Sequence, residues 1–381
     1  MSTPRPYILL RDDLAGREMM FQQPVEIVTA DRLEDVEPAL RRLDGIRRTG
    51  KWLAGYLSYE AGFAFEPKLA ALLPEGRRVP LLQFGIFDMP DERVIKAPVP
   101  SNAGLHDARA TWTFEDYRAR FEKLHCHLRK GDAYQGNLTF PVTARWEGAP
   151  RAVFEGMTAR QPVRYGALVE LGGPAIVSRS PELFFQVDRD NWIETHPMKG
   201  TIRRGVTPKE DAELAEFLRN DPKNQAENRM IVDLLRNDIS RVTEVGTLDV
   251  PELFRIESYP TVHQMVSRVR ARLEPSVGLT EIMQALFPCG SITGAPKLSA
   301  MMILNALERQ PRDAYCGAIG WAAPGGEMRF SVAIRTVTLH EGGEAVFNVG
   351  GGVVFDSDAR SEYEECLLKA RFATGSVPTT A

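Results

Sequence analysis

Three consecutive glycines, Gly350-Gly351-Gly352, follow an apolar stretch and precede the helix-like segment from Asp356 to Ala370. Glycine at such a place lets backbone N–H groups approach an anionic ligand with no Cβ in the way. On the segment that follows, Glu362 and Glu365 are three residues apart and Lys369 is four beyond Glu365, so one helix face carries all three. Two carboxylates and an ammonium beside a glycine loop would suit a hard divalent cation bridging to a substrate carboxylate. A solvated Glu→Lys face with a glycine turn is the blander alternative. Upstream, Glu227 precedes an apolar stripe of Met230, Ile231, Leu234 and Leu235, and it is a candidate third carboxylate for a metal. Asp233, Arg236, Asn237 and Asp238 read as the polar end of that helix.

Two further clusters carry chemistry. Ser180-Pro181-Glu182 ends one strand-like run, and His196-Pro197-Met198-Lys199-Gly200-Thr201 ends the next. Glu182 can serve as a proton donor. Lys199 can serve as a nucleophile only with a lowered pKa; otherwise it is an ordinary exposed amine. The segment Ser291-Ile-Thr-Gly-Ala-Pro-Lys297 precedes a helix, with Gly294 in the turn and Pro296 at the first helical position. That helix N-terminus would suit an anion. The spacing is not that of a P-loop.

The elements that must hold these residues are short strands and separate helix groups. Phe114, Tyr117, Phe121, Leu124 and Leu128 recur at helical steps, and Gly131 ends that helix. Helical spacing also runs from Arg32 to Leu43, interrupted by Pro38, and from about Lys209 to Arg241. Strand-like runs include WLAGYLSYEAGFAF, NLTFPVTARW, YGALVEL, AIVSRS and MRFSVAIRTVTLH, whereas residues 91–112 read as a connecting loop. This order predicts an α+β fold with a mostly antiparallel sheet.

Composition excludes several classes. The 381 residues are 43% hydrophobic, enough for a large core, and the net charge of −4 offers no footprint for nucleic acid. The four cysteines form no CxxC pair, so neither a disulfide framework nor a zinc knuckle is indicated. No secretory h-region and no membrane-length apolar run is present, so a soluble cytoplasmic protein is expected.

Taken together, SPELFF, HPMKGTIRRG, ENRMIVDLLRNDISRV, SITGAPKLSAMMILNALE, YCGAIGWAAPGGEMRFSVAIRT and GGGVVFDSDARSEYEECLLKA resemble the chorismate-utilising enzymes, in that family's order, over about residues 115–372. The family includes anthranilate, aminodeoxychorismate, isochorismate and salicylate synthases. The resemblance implies one compact unit with two stacked antiparallel sheets flanked by helices. Residues 1–112 would contribute strands, residues 113–375 would form the catalytic region, and residues 376–381 would be a disordered tail. It further implies that Glu227, Glu362 and Glu365 hold Mg²⁺ and that Glu182 protonates the departing C4 hydroxyl. Tyr315, Arg335, Lys369 and the Gly350, Gly351 and Gly352 backbone would hold substrate carboxylates, and Thr201, His263 and Gln135 would line the pocket. Asn224 departs from the pattern, since many members are acidic there.

Two positions choose among the members. Water-adding members have a lysine where this chain has Gln135, which cannot act as a base, so an ammonia-using enzyme is implied. Anthranilate synthases typically have alanine where this chain has Lys199, and aminodeoxychorismate synthases typically have lysine. The resemblance therefore implies amination of chorismate at C4 through a covalent Lys199 intermediate, with anthranilate synthesis as the alternative. No Cys-His glutaminase pattern is present, so a glutamine amidotransferase partner is expected to supply ammonia, and a separate aminodeoxychorismate lyase is expected to act on the product. Leu9-Leu10-Arg11-Asp12 stands where tryptophan-regulated members carry Leu-Leu-Glu-Ser, and tryptophan feedback is not carried over.

Overall fold

The computed structural model describes residues 5–95, 104–259 and 262–380. Two sheets form its framework. The first runs Gly104–Ala110, Gln135–Glu147, Glu344–Val353, Thr336–Leu339, Ala175–Ser180, Tyr165–Glu170, Tyr7–Asp12, Arg17–Gln22, Asp91–Val94. The second runs Met198–Arg203, Val262–Arg272, Trp192–Thr195, Leu183–Val187, Met328–Val332, Ala318–Ala322, Trp52–Leu57, Leu82–Phe87, Glu26–Ala30. Neighbours in these two runs are antiparallel, which bears out the expected α+β class.

Side-chain alternation explains how the layers stack. Ile8 and Leu9 are neighbours in sequence, yet Ile8 joins a core with Ala54, Tyr56, Phe87 and Ile319 of the second sheet. Leu9 points the other way, into a core with Tyr117, Phe154 and Tyr363 from helices. Leu53 and Leu57 of the second sheet likewise face Val36, Leu235 and Met283 from another helical layer. The strand period of two thus divides each strand between the inter-sheet core and a helix-covered outer core. Burial on both faces is why many strands read as unbroken apolar runs rather than alternating ones.

Local chemistry sets the helices that matter for the site. Asp358 opens helix Ala359–Lys369 by accepting from the Ser361 N–H at 2.9 Å. Asp221 opens helix Pro222–Ser240 by accepting from the Asn224 N–H at 2.8 Å, with Pro222 in the first turn. The single helical region expected over Lys209–Arg241 is therefore two helices, Pro208–Asn220 and Pro222–Ser240. A proline cannot donate its N–H and biases the preceding residue away from helix, so the chain breaks at Asp221.

Other expectations are corrected. Pro38 does not interrupt its helix, which spans Leu33–Arg47 because Val36, Ala39, Leu40 and Leu43 are buried along one face. The loop expected over 91–112 contains strands Asp91–Val94 and Gly104–Ala110, and its residues 96–103 lie outside the described residues. The tail expected to be disordered folds back instead: Thr379–Thr380 pairs in parallel with Gly104–Ala110, and Ala381 lies outside the described residues. Pro296 is the cap rather than the first residue of helix Lys297–Glu308, and Gly294–Ala295 pairs with Gln135 and Gly136.

The chain passes between the sheets several times, and two of these crossings meet at one place. Strand Ala175–Ser180 of the first sheet leads through Pro181 and Glu182 into Leu183–Val187 of the second. Strand Met328–Val332 of the second leads through Arg335 into Thr336–Leu339 of the first. Hydrogen bonds tie the two crossings together: the Arg179 N–H donates to the Arg335 carbonyl at 3.0 Å and the Val332 N–H to the Glu182 carbonyl at 3.1 Å. Glu182 and Arg335 are therefore anchored where two stiff layers meet.

Candidate active site

At the crossings, Glu182 is buried, and Ser291 Oγ donates to its Oε1 at 2.5 Å. Burial pushes the Glu182 carboxyl above its ordinary range, while Ser291, Lys199 and Arg335 oppose the rise. Burial and the nearby Lys369 charge push the Lys199 amine down, against Glu182, Glu227 and Glu365. Both shifts run toward the neutral forms, the direction that an attacking amine and a proton-donating carboxylic acid require. Arg335 is also lowered by burial and feels the charge of Glu182.

Backbone from the first sheet closes in on this pair. Gly350, Gly351 and Gly352 lie opposite Thr139, Leu138 and Asn137 on the strand that begins at Gln135. A Cβ on Gly352 would sit 2.7 Å from Gln135 Nε2 and 3.5 Å from Lys199 Nζ. Those two side chains therefore converge on the glycine backbone. Gln135 Nε2 is buried and, among the described residues, has no hydrogen-bond partner. A buried donor left unpaired is costly, so this amide is a natural partner for a bound oxygen.

The helix face read from the sequence is present. Lys369 Nζ lies 2.7 Å from Glu365 Oε1 and donates to the Gly350 carbonyl at 3.0 Å. Ser357 Oγ donates to Glu362 Oε1 at 2.7 Å, and a Cβ on Gly351 would meet the other Glu362 oxygen at 2.9 Å. Burial raises Glu362, with Glu365 and Glu227 adding to the rise. Burial also acts to raise Glu365, but the Lys369 pair holds it below its ordinary value. Glu362 thus feels the charge of Glu365 on its own helix and of Glu227 on helix Pro222–Ser240. Among the described residues, no three such side chains meet at metal-binding distance.

Tyr315 is buried beside Cys316, Arg312 and Cys366, and burial pushes its phenol well above the ordinary range. Two expected pocket residues are occupied elsewhere. Thr201 is exposed and pairs with Gln264, while His263 Nε2 lies 2.9 Å from Asp211 Oδ1 and its Nδ1 2.8 Å from Ser258 Oγ. Asn224 packs against Gly200, where a Cβ would lie 2.8 Å from its Oδ1. Lys297 does not wait for an anion: its Nζ donates to Asp238 Oδ2 at 2.6 Å and to the Leu286 carbonyl at 2.9 Å. Sequence reasoning missed Ser291 as the partner of Glu182. Its segment was legible, but only as a helix start.

Residues 5–375 match the profile of the chorismate binding enzyme family. The chain belongs to that family. Component 1 of aminodeoxychorismate synthase from Klebsiella aerogenes is 43% identical over 274 residues, 72% of this chain and 60% of that one. Its counterpart from Salmonella typhimurium is 44% identical over 254 residues, 67% of this chain and 56% of that one. The matched stretch thus spans less than two thirds of either relative. The fold is shared with anthranilate synthase component I from Streptococcus pneumoniae, at a TM-score of 0.79 and 23% identity, covering 97% of this chain and 92% of that one.

Proposed function

We propose that this chain converts chorismate and ammonia to 4-amino-4-deoxychorismate, on the way to p-aminobenzoate and folate. The observation that carries the reading is the burial of Lys199 and Glu182 close enough to feel each other's charge, each pushed toward its neutral form. Lys199 Nζ attacks C2 of the ring, the ring double bonds shift, and the C4–oxygen bond breaks. Glu182 gives its proton to that oxygen, which leaves as water. Ammonia then attacks C4, the double bonds shift back, and the bond from C2 to Lys199 breaks with its electrons returning to nitrogen. One substitution with a poor leaving group becomes two easier steps. Gln135 has no basic atom with which to activate water, which favours ammonia as the nucleophile. The relatives named aminodeoxychorismate synthase component 1 support the same choice.

Glu227, Glu362 and Glu365 are the residues that would hold Mg²⁺. Their oxygen donors suit a hard cation, and the Gly351 backbone leaves open the space beside Glu362 that a Cβ would fill. When bound, the ion would neutralise the carboxylates and fix the ring carboxylate of the substrate. Lys369 and Arg335 supply positive charge for the remaining carboxylate. The word component in the relatives' names supports a second subunit, which we take to be a glutamine amidotransferase delivering ammonia. Pyruvate elimination falls to a separate lyase. No helix among the described residues is long and apolar enough to cross a membrane.

The test is mass spectrometry of products from purified protein, chorismate, Mg²⁺ and an ammonium salt. The 4-amino product is expected. Anthranilate in its place would transfer the chain to the alternative reading.

A further inference from the structure

Glu182 must do more than stay protonated: its proton has to sit on the oxygen that faces the substrate. Groups reach its carboxyl from three directions. Lys199 comes from strand Met198–Arg203, Arg335 from the second sheet crossing, and Ser291 from the turn Gly290–Ile292. Ser180 holds only the backbone, accepting from the Glu182 N–H at 3.1 Å. Ser291 Oγ donates to Oε1 at 2.5 Å, and a hydroxyl has a single hydrogen to give. That bond occupies Oε1 and assigns the acid proton to Oε2. Cys289 Sγ lies 3.3 Å from the same Ser291 Oγ. Burial above all pushes the Cys289 thiol up to about 12, against opposing pulls from the Ser291 hydroxyl and backbone and from Lys297, so it keeps its hydrogen. With the serine hydrogen committed to Glu182, the thiol is the donor in that contact. Glu182, Ser291 and Cys289 are 7%, 4% and 3% exposed, so water cannot readily replace either link.

We infer that Ser291 is a positioning residue that fixes which oxygen of Glu182 carries the proton, and that the Cys289 thiol in turn fixes the Ser291 hydroxyl. The inference rests on the reading of Glu182 as the acid of the proposed amination. A donor to Oε1 also favours the ionised carboxyl, so its removal should raise the Glu182 pKa further. The Ser291→Ala variant should therefore behave in a way that mere loosening would not produce. Its kcat should fall about 10- to 100-fold through a misdirected proton, while the alkaline limb of its pH profile moves to higher pH. KM should change little.

The experiment measures pH–rate profiles for full-length wild type, Ser291→Ala, Cys289→Ala and Cys289→Ser with chorismate, Mg²⁺ and ammonium. In parallel, the Glu182 carboxyl band is read by difference infrared spectroscopy against Glu182→Gln. Cys289→Ala should shift limb and band in the same direction as Ser291→Ala but less, and Cys289→Ser should recover most of the loss. A folded Ser291→Ala with the wild-type limb and an unmoved band would overturn the inference. Should Ser291→Ala fail to fold, the cysteine pair decides: identical limbs and bands in Cys289→Ala and Cys289→Ser would overturn it as well. A wild type that makes no 4-amino product would sink the functional reading alone, because the infrared band still reports whether Ser291 holds Glu182.

Discussion

Lys199 can attack carbon only as the free amine, and Glu182 can release water only as the free acid. The first requirement is met more fully as pH rises and the second as pH falls. Lys199 is lowered, so its amine is free at a lower pH than an ordinary lysine, and kcat/KM should climb through that transition. Glu182 is raised, so it keeps its proton to a higher pH than an ordinary glutamate, and the rate should drop once it ionises. A bell is expected whose limbs belong to the coupled pair rather than to either residue alone. A profile with no descending limb up to alkaline pH would contradict Glu182 as the acid. Substitution sharpens the test. Lys199→Ala opens C2 to ammonia, so the 4-amino product should largely disappear and some 2-amino product or anthranilate should form. Lys199→Arg keeps the charge but cannot attack, so it should be nearly inactive. With ammonia withheld, intact-protein mass spectrometry should reveal a substrate-derived adduct in wild type that Lys199→Ala lacks.

The carboxylates proposed to hold Mg²⁺ belong at the same scale. Glu362→Gln should abolish turnover with little change in melting temperature, because the side chain is only part-buried and, among the described residues, Ser357 is its one side-chain hydrogen-bond partner. Full activity in excess chelator would remove Mg²⁺ from the proposal. Lys199 and Glu182 could be singled out in the sequence because each sits inside a motif, HPMKGTIRRG and SPELFF, that has its own place at a strand end. Ser291 was not legible as a partner of Glu182, since 109 residues separate them and only the fold joins them. Nor could the sequence reveal that His263 is engaged by Asp211 and Ser258 across the sheet edge.

Elements transmit these positions, and one contact does so across a long stretch of chain. Asp44, at the end of helix Leu33–Arg47, accepts from the Leu279 and Thr280 N–H groups at 3.0 and 2.8 Å and so caps helix Leu279–Leu286. Asp44→Ala would strip two buried donors of their acceptor and leave Arg47 without its ion pair. A loss of about 2–3 kcal/mol is expected, visible as a lower urea midpoint with kcat unchanged. Gly352→Ala should do the reverse, because its Cβ would press on Gln135 and Lys199. Activity should fall by more than tenfold, roughly what a small misplacement of catalytic groups costs, with a modest change in melting temperature. Helices were the more readable elements, since helix Phe114–Lys130 announces itself by its apolar spacing, its Thr113–Asp116 capping box and Gly131 at its end. The strand Asp91–Val94 was invisible because all its residues are exposed and only its pairing with Arg17–Gln22 makes it a strand.

The molecule as a whole does not divide at residue 112. Strands Tyr7–Asp12 and Arg17–Gln22 belong to the first sheet, while Glu26–Ala30, Trp52–Leu57 and Leu82–Phe87 belong to the second. A fragment beginning at Thr113 would lose Leu53, Phe84 and Ile86 from one core and Ile8, Phe21 and Ala54 from another. It should not show cooperative unfolding, and a soluble fragment with a sharp melting transition would refute this. At the same scale, glutamine alone should give no turnover with the isolated chain, whereas ammonium salts at mildly alkaline pH should. Turnover with glutamine in a preparation shown to lack any amidotransferase would overturn that expectation.

The pairing of Gln135–Glu147 with Glu344–Val353 has a consequence in time. During synthesis the earlier strand leaves the ribosome 197 residues (344 minus 147) ahead of the later one. At ordinary elongation rates it waits about 10–40 s for its neighbour. Throughout that interval one edge of an apolar strand is bare, and the glycine backbone that completes the pocket does not yet exist. An open edge of this kind invites pairing with other nascent chains. Yield in the cell should therefore follow how well that edge is shielded during translation more closely than it follows the stability of the finished protein.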